Sequence, residues 1–99
     1  STVTSTPINS QPSTLSLEQN YPNPFNPSTI ISYSLRSSQL VSLKIYNILG
    51  EEVSTLVEER QTAGRHRLQF SAANLPSGVY FYRLTGENIS IARKMALVK

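Results

Sequence analysis

Cysteine is absent from these 99 residues, which excludes a disulfide framework and a thiolate metal site. Aspartate is absent as well: all six acidic residues are Glu. No Asp-based catalytic triad and no ordinary calcium loop is available to such a chain. No apolar run is long enough to span a bilayer. The first residues include no initiator methionine and no basic-then-apolar leader. The chain is therefore expected to be a piece of a longer protein, with part of the function in a neighbour. There is no phosphate-cradling glycine loop. The nine basic residues are scattered, apart from Arg65/Arg67 and Arg93-Lys94, so the net charge of +3 makes no nucleic-acid footprint. It allows only weak, unspecific attraction to an anionic surface.

What is present is mostly β-like. The densest stretch is LPSGVYFYRL, residues 75–84. Pro76 presets a turn, and Gly78 can take a positive φ. Aromatic and β-branched residues follow, as in strands. Alternation sends Tyr80, Tyr82 and Leu84 one way and Val79, Phe81 and Arg83 the other. Large side chains on both faces suggest a central strand. The Gly-x-Tyr step resembles a tyrosine corner, in which a Tyr stands two residues before a strand-F cysteine; Tyr82 occupies that second place.

The other segments follow the same logic. Residues 1–14 are rich in Ser, Thr, Pro and Asn, with Val3 and Ile8 the only apolar side chains besides Pro. Such a segment buries too little to offset its ordering entropy, and it reads as a linker to an upstream module. Residues 15–19 suggest a short edge strand. Residues 20–29 hold Pro22, Pro24 and Pro27 and exclude both helix and central strand. A stiff loop is expected there around Asn23, Pro24, Phe25, Asn26 and Pro27. Tyr21 and Phe25 are expected to plug one end of the domain. Inward sets follow at Ile31, Tyr33 and Leu35, then at Val41, Leu43 and Ile45. Residues 51–57 read as a strand with Val53, Thr55 and Val57 on one face, although residues 51–60 also have helical propensity. Residues 58–64 read as a polar loop. His66, Leu68 and Phe70 face inward next. Residues 86–88 make a hairpin turn with Gly86 and Asn88 suited to positive φ. Ile91, Met95 and Leu97 line the last strand. The expectation is an all-β, immunoglobulin-like antiparallel β-sandwich of about seven strands.

Catalytic constellations are missing. His66 is the only histidine and falls in a core register. The pairs Glu51-Glu52 and Glu58-Glu59 are adjacent on a strand, so their carboxylates point to opposite faces and read as solvated surface. Tyr80, Phe81 and Tyr82 beside Arg83 read as packed side chains more than as a stacking platform. Asn88-Ile89-Ser90 matches a glycosylation sequon in a plausible turn. No enzyme activity, metal or cofactor is expected. One feature stands out: the run 93–99 is a strand flanked by lysines, a suitable handle for edge pairing plus charge, although lysines also guard edges.

Five stretches in order resemble type A C-terminal sorting domains of the type IX secretion system. They are LEQNYPNPFNPSTI (17–30), KIYNILGEEV (44–53), AGRH (63–66), LPSGVYFYRL (75–84) and KMALVK (94–99). The resemblance spans residues 15–99. It implies a β-sandwich similar to the immunoglobulin-like domain of the flagellar hook-capping protein, at the C-terminus of secreted proteins of Bacteroidetes and related phyla. It implies cargo that reaches the periplasm by a separate signal peptide and crosses the outer membrane under this domain's direction. The partners it implies are the outer-membrane translocon, shuttle and sortase proteins, and an upstream cargo domain. In many members the domain is cut off and the cargo is attached to lipopolysaccharide; the cut would fall in the Ser/Thr linker. By position, Gly78, Tyr80, Lys94, Met95, Leu97, Val98 and Lys99 become candidate recognition residues. Phe70 stands where the family often has Trp, and Ser71 where an acidic residue is common. The alternative is an accessory module of an extracellular enzyme, stabilising or carbohydrate-binding.

Overall fold

The computed structural model describes residues 15–87 and 89–99. The expected linker (1–14) and Asn88, with its sequon, lie outside them. The described residues form seven strands: β1 (Leu15–Leu17), β2 (Ser28–Leu35), β3 (Gln39–Tyr46), β4 (Glu52–Gln61), β5 (Gly64–Ser71), β6 (Gly78–Thr85) and β7 (Ser90–Leu97). They make a three-stranded sheet ordered β1-β2-β5 and a four-stranded sheet ordered β4-β3-β6-β7, with every strand pair antiparallel. The chain switches sheets between β2 and β3, β4 and β5, and β5 and β6. This is the order of an immunoglobulin-type sandwich.

Period-two alternation builds the core because each sheet has one buried and one wet face. Ile31, Tyr33 and Leu35 from β2 meet Val41, Leu43 and Ile45 from β3, Tyr80, Tyr82 and Leu84 from β6, and Met95 and Leu97 from β7. β6 is central in its sheet, between β3 and β7. Its outer side chains are nevertheless open to solvent: Val79 is 38% and Phe81 36% exposed.

Three expectations fail for local reasons. β4 runs to Gln61 and replaces the expected loop at residues 58–64, because Glu58 to Gln61 pair with Ser42 to Gln39 of β3. An edge strand open to water tolerates such polar residues. Within β4, Thr55 points outward, not inward with Val53 and Val57. The register slips between Leu43 and Lys44 and again between Ile45 and Tyr46, which leaves Leu56 and Val53 as extra residues. Each bulge breaks the alternation. Gly86 is not among the positive-φ glycines, which are Gly50, Gly64 and Gly78. It is required by close approach: a Cβ there would lie 2.5 Å from both Gln39 Oε1 and Leu15 Cδ2. Gly86→Ala is therefore expected to cost about 1–3 kcal/mol by overpacking. Urea unfolding checks this, and an unchanged midpoint would mean that both side chains swing aside freely.

Candidate functional site

Four of the five sequence motifs meet at one end of the sandwich. The LPSGVYFYRL and KMALVK stretches are two rails of one ladder: Gly78 faces Leu97, Val79 Ala96, Tyr80 Met95 and Phe81 Lys94. The turn before β6 is built by its own residues. Gly78 sits at φ 155°, a conformation that side-chain-bearing residues rarely adopt. Tyr80 O–H donates 2.7 Å back to the Pro76 carbonyl. That bond closes the tyrosine corner expected from the Gly-x-Tyr step.

The candidate residues divide sharply by burial. Tyr80, Met95 and Leu97 are core side chains, 5%, 1% and 2% exposed. Lys94, Val98 and Lys99 are exposed. Lys99 is tied to the loop before β6, with its N–H on Ser77 Oγ (3.0 Å) and its Nζ on the Ala73 carbonyl (2.8 Å). The Lys94 ammonium has no ion pair among the described residues.

Across the other edge of β7 lies the proline loop. Phe25 N–H donates to the Ala96 carbonyl and Val98 N–H to the Phe25 carbonyl, both at 2.9 Å. Ala96 N–H donates to Asn23 Oδ1 (3.0 Å), and Gln19 Nε2 to the Lys94 carbonyl (2.8 Å). The outward backbone groups of β7 from the Lys94 carbonyl to the Val98 N–H are thus occupied within the domain. Over this stretch the edge is therefore not open to the edge pairing that the lysine-flanked run suggested. Phe25 is 2% exposed and packs against Phe70 with ring centroids 6.2 Å apart. Tyr21, expected to plug in beside it, is 81% exposed. Its backbone engages the fold through paired bonds with Ile30. Pro24 and Asn26 are exposed, and the Pro27 carbonyl accepts from Ala72 N–H at 2.9 Å. The peptide bonds before Pro22, Pro24 and Pro27 are cis.

A buried polar cluster holds this loop. Asn20 Nδ2 donates to the Pro22 carbonyl (3.1 Å) and to Thr29 Oγ1 (2.9 Å), while its Oδ1 accepts from Gln19 Nε2 (2.7 Å). Thr29 O–H donates to the same Pro22 carbonyl. Tyr82 completes the cluster from the opposite sheet. Its hydroxyl accepts from Asn20 N–H (2.8 Å) and donates to the Glu18 carbonyl (2.7 Å). It stands at the place of an immunoglobulin domain's strand-F cysteine, but it reaches the segment after β1 and not the second strand. Burial raises its pKa above the usual tyrosine value, against smaller lowering effects from the Asn20 bond and Arg93. The sequence marked Tyr82 by position, but nothing local marked Asn20 or Thr29 as buried.

The remaining polar features are local hydrogen bonds and ring contacts. Asn47 Oδ1 accepts from Leu49 and Glu51 N–H and shapes the β3–β4 turn. His66 stacks on Tyr33 with centroids 5.3 Å apart, and its Nε2 donates to the Thr62 carbonyl. Burial and the negative charge of Glu59 raise the Tyr33 pKa, against the lowering effect of its Gln61 bond. The Thr55 hydroxyl, ahead of Lys44, lowers the carboxyl pKa of exposed Glu52. Among the described residues no cluster of His, Cys, Asp or Glu could hold a metal, and no helix is long and apolar enough to cross a membrane.

A cysteine-free immunoglobulin-type sandwich, with its last strand clasped between a tyrosine corner and a proline loop, defines the class. The chain belongs to the secretion system C-terminal sorting domain family, which matches residues 19–98. No curated protein matches it. It is a type IX sorting domain: domains of this family mark a cargo chain for export, and are in general not enzymes. The destination is the outside of the cell or its surface, by way of the periplasm and outer membrane.

Proposed function

We propose that this domain is a non-catalytic sorting signal read by the outer-membrane type IX translocon at the end where β6, β7 and the proline loop meet. The observation that carries the reading is the ladder from Gly78–Leu97 to Phe81–Lys94, which joins two family motifs into one surface. Lys94, Val98 and Lys99 are the residues a partner touches. Gly78, Tyr80, Met95 and Leu97 act by holding that strand in place. Asn23, Pro24, Phe25, Asn26 and Pro27 clasp its outer edge. The folded unit is residues 15–99. Residues 1–14 tether it to the cargo and are where cleavage falls, before shuttle and sortase proteins pass the cargo to the surface and attach it there.

Lys94→Ala with Lys99→Ala tests the reading. Both side chains are exposed, and loss of the Lys99–Ala73 bond costs about 1 kcal/mol at most. The double variant should therefore melt close to the parent domain. Export of a signal-peptide-bearing reporter fused to it should fall about tenfold, as loss of a contact worth about 1.4 kcal/mol would require. Undiminished export would remove the lysines from the recognition surface.

A further inference from the structure

We propose that the outward face of β3, β6 and β7 is a docking surface that extends recognition beyond the terminal motif, fitted to a protein partner that presents an apolar seat bordered by carboxylates. The proposal rests on the sorting reading and deepens it: the surface shares Lys94 and Ala96 with the terminal motif and extends from them across β6 to β3. Three observations carry it.

First, the end of the face next to the β3–β4 turn is apolar where a solvated sheet face would be polar. Val79 and Phe81 stand outward from β6, with Ala96 opposite Val79. The adjoining β3–β4 turn projects Ile48 and Leu49, 70% and 77% exposed. Contiguous exposed apolar side chains of this kind mark interaction surfaces. Second, the face has relief. Tyr46, Ile48, Phe81, Arg83 and Ala92 line an open depression of about 250 Å³. Aromatic and Arg side chains gathered around a depression are the usual composition of an interface anchor. Third, the charge has one sign. The outward positions of β6 and β7 carry Arg83 and Lys94 and no carboxylate. The neighbouring cation on β3, Lys44, is already paired with Glu52 at 3.5 Å. The Arg83 guanidinium lies 5.5 Å from the centre of the Tyr46 ring, and no ion pair engages it among the described residues. Attraction to a ring face does not use the N–H groups of a guanidinium, which can still be donated to a carboxylate.

Charge and geometry select among occupants. A second copy docked face to face would bring Arg83 and Lys94 against their own counterparts. A lipid surface is read by clusters of four or more cations, whereas this face offers two unpaired ones. A protein surface combining apolar and acidic groups matches both properties.

The test uses a signal-peptide-bearing fluorescent reporter fused to residues 1–99, expressed in a type IX-competent host. Phe81→Ser and Arg83→Glu are the probes, since neither belongs to the terminal motif or the core. Arg83→Lys keeps the charge, and Arg67→Glu changes an exposed residue on the opposite sheet. Thermal unfolding of each purified domain identifies any variant that no longer folds. The expected result is an export loss of about tenfold for Phe81→Ser and for Arg83→Glu. Arg83→Lys should retain most export and Arg67→Glu all of it. Folded Phe81→Ser and Arg83→Glu variants exported like the parent would overturn the proposal while leaving the sorting reading intact. Should Phe81→Ser fail to fold, Arg83→Glu against Arg83→Lys decides. A parent fusion that is itself not exported would remove the sorting reading and this surface with it. Sedimentation of the purified domain with phosphatidylglycerol vesicles, abolished by Arg83→Glu, would assign the face to lipid and overturn the protein partner.

Discussion

Tyr82→Phe is expected to destabilise the domain by about 2–4 kcal/mol. The substitution removes one oxygen from a side chain that is fully buried. It leaves two backbone groups behind, the Asn20 N–H and the Glu18 carbonyl, which the hydroxyl had satisfied at 2.8 and 2.7 Å. Each stranded buried group costs about 1–3 kcal/mol. The bond also joins the β6 sheet to the segment that follows β1, so its loss loosens the proline loop as well as the core. Against a total stability of about 5–15 kcal/mol, this is a large fraction. The melting temperature should fall by roughly 10–20 °C. A second signature separates this role from simple packing. The folded Tyr82 pKa lies above the unfolded value, so the group contributes stability that is fully present below about pH 10. As pH rises from there through the folded pKa, the unfolded chain ionises first and stability is lost. Tyr33 shares that direction. Tyr82→Phe should flatten part of the alkaline decline, read as the slope of unfolding free energy against pH. A variant with parental stability and slope would show that the hydroxyl bridges nothing of consequence.

Phe25→Ala should cost still more, about 3–5 kcal/mol, the usual range for truncating a buried aromatic. Phe25 is 2% exposed among Phe70 and the residues at the end of β7. Its backbone bonds Ala96 and Val98 while its ring fills the space between the sheets. Truncation should release both anchors together. Amide hydrogen exchange at Ala96 and Val98 should accelerate well before global unfolding, because their outward partners lie in the loop. Tyr21→Ala is the internal comparison. Tyr21 carries an aromatic ring in the same loop, but 81% of it is exposed, so its loss should change stability by under about 0.5 kcal/mol. Equal costs for the two substitutions would contradict the assignment of Phe25 as the plug.

The contrast between Phe25 and Tyr21 also shows where the sequence stops being legible. Two aromatics four residues apart in a proline-rich loop carry the same local signal; which one turns inward is decided by strands that lie far along the chain. Strands were readable wherever one face is buried and the other wet, as with Ile31, Tyr33 and Leu35 against Ser32 and Ser34. They became unreadable where bulges insert a residue, which turned Thr55 outward. They were also unreadable where an edge strand needs no apolar face, as from Glu58 to Gln61. Gly86 carries the local signal of a positive-φ turn residue, whereas its role is to admit Gln39 and Leu15, neither of which is near in sequence.

The proposed recognition end is legible in part. The tyrosine corner follows from the Gly78–Tyr80 spacing, and burial of Met95 and Leu97 follows from alternation. The clasp of the proline loop over the edge of β7 joins groups more than 70 residues apart, as in the Asn23–Ala96 bond. No periodicity reports such a contact. It also changes the physical picture of the terminal strand. Under the proposed reading, a partner would meet a strand whose outer backbone is already bonded there, and would read the side chains of Lys94, Val98 and Lys99.

The most direct measurement is translocon-dependent export. A signal-peptide-bearing fluorescent protein fused to residues 1–99 is expressed in a type IX-competent host and in a strain lacking the outer-membrane translocon. Fluorescence in the medium or on the surface of the competent host, with retention in the periplasm of the mutant, is the predicted result. Retention in both strains would contradict a sorting role for this domain in that host.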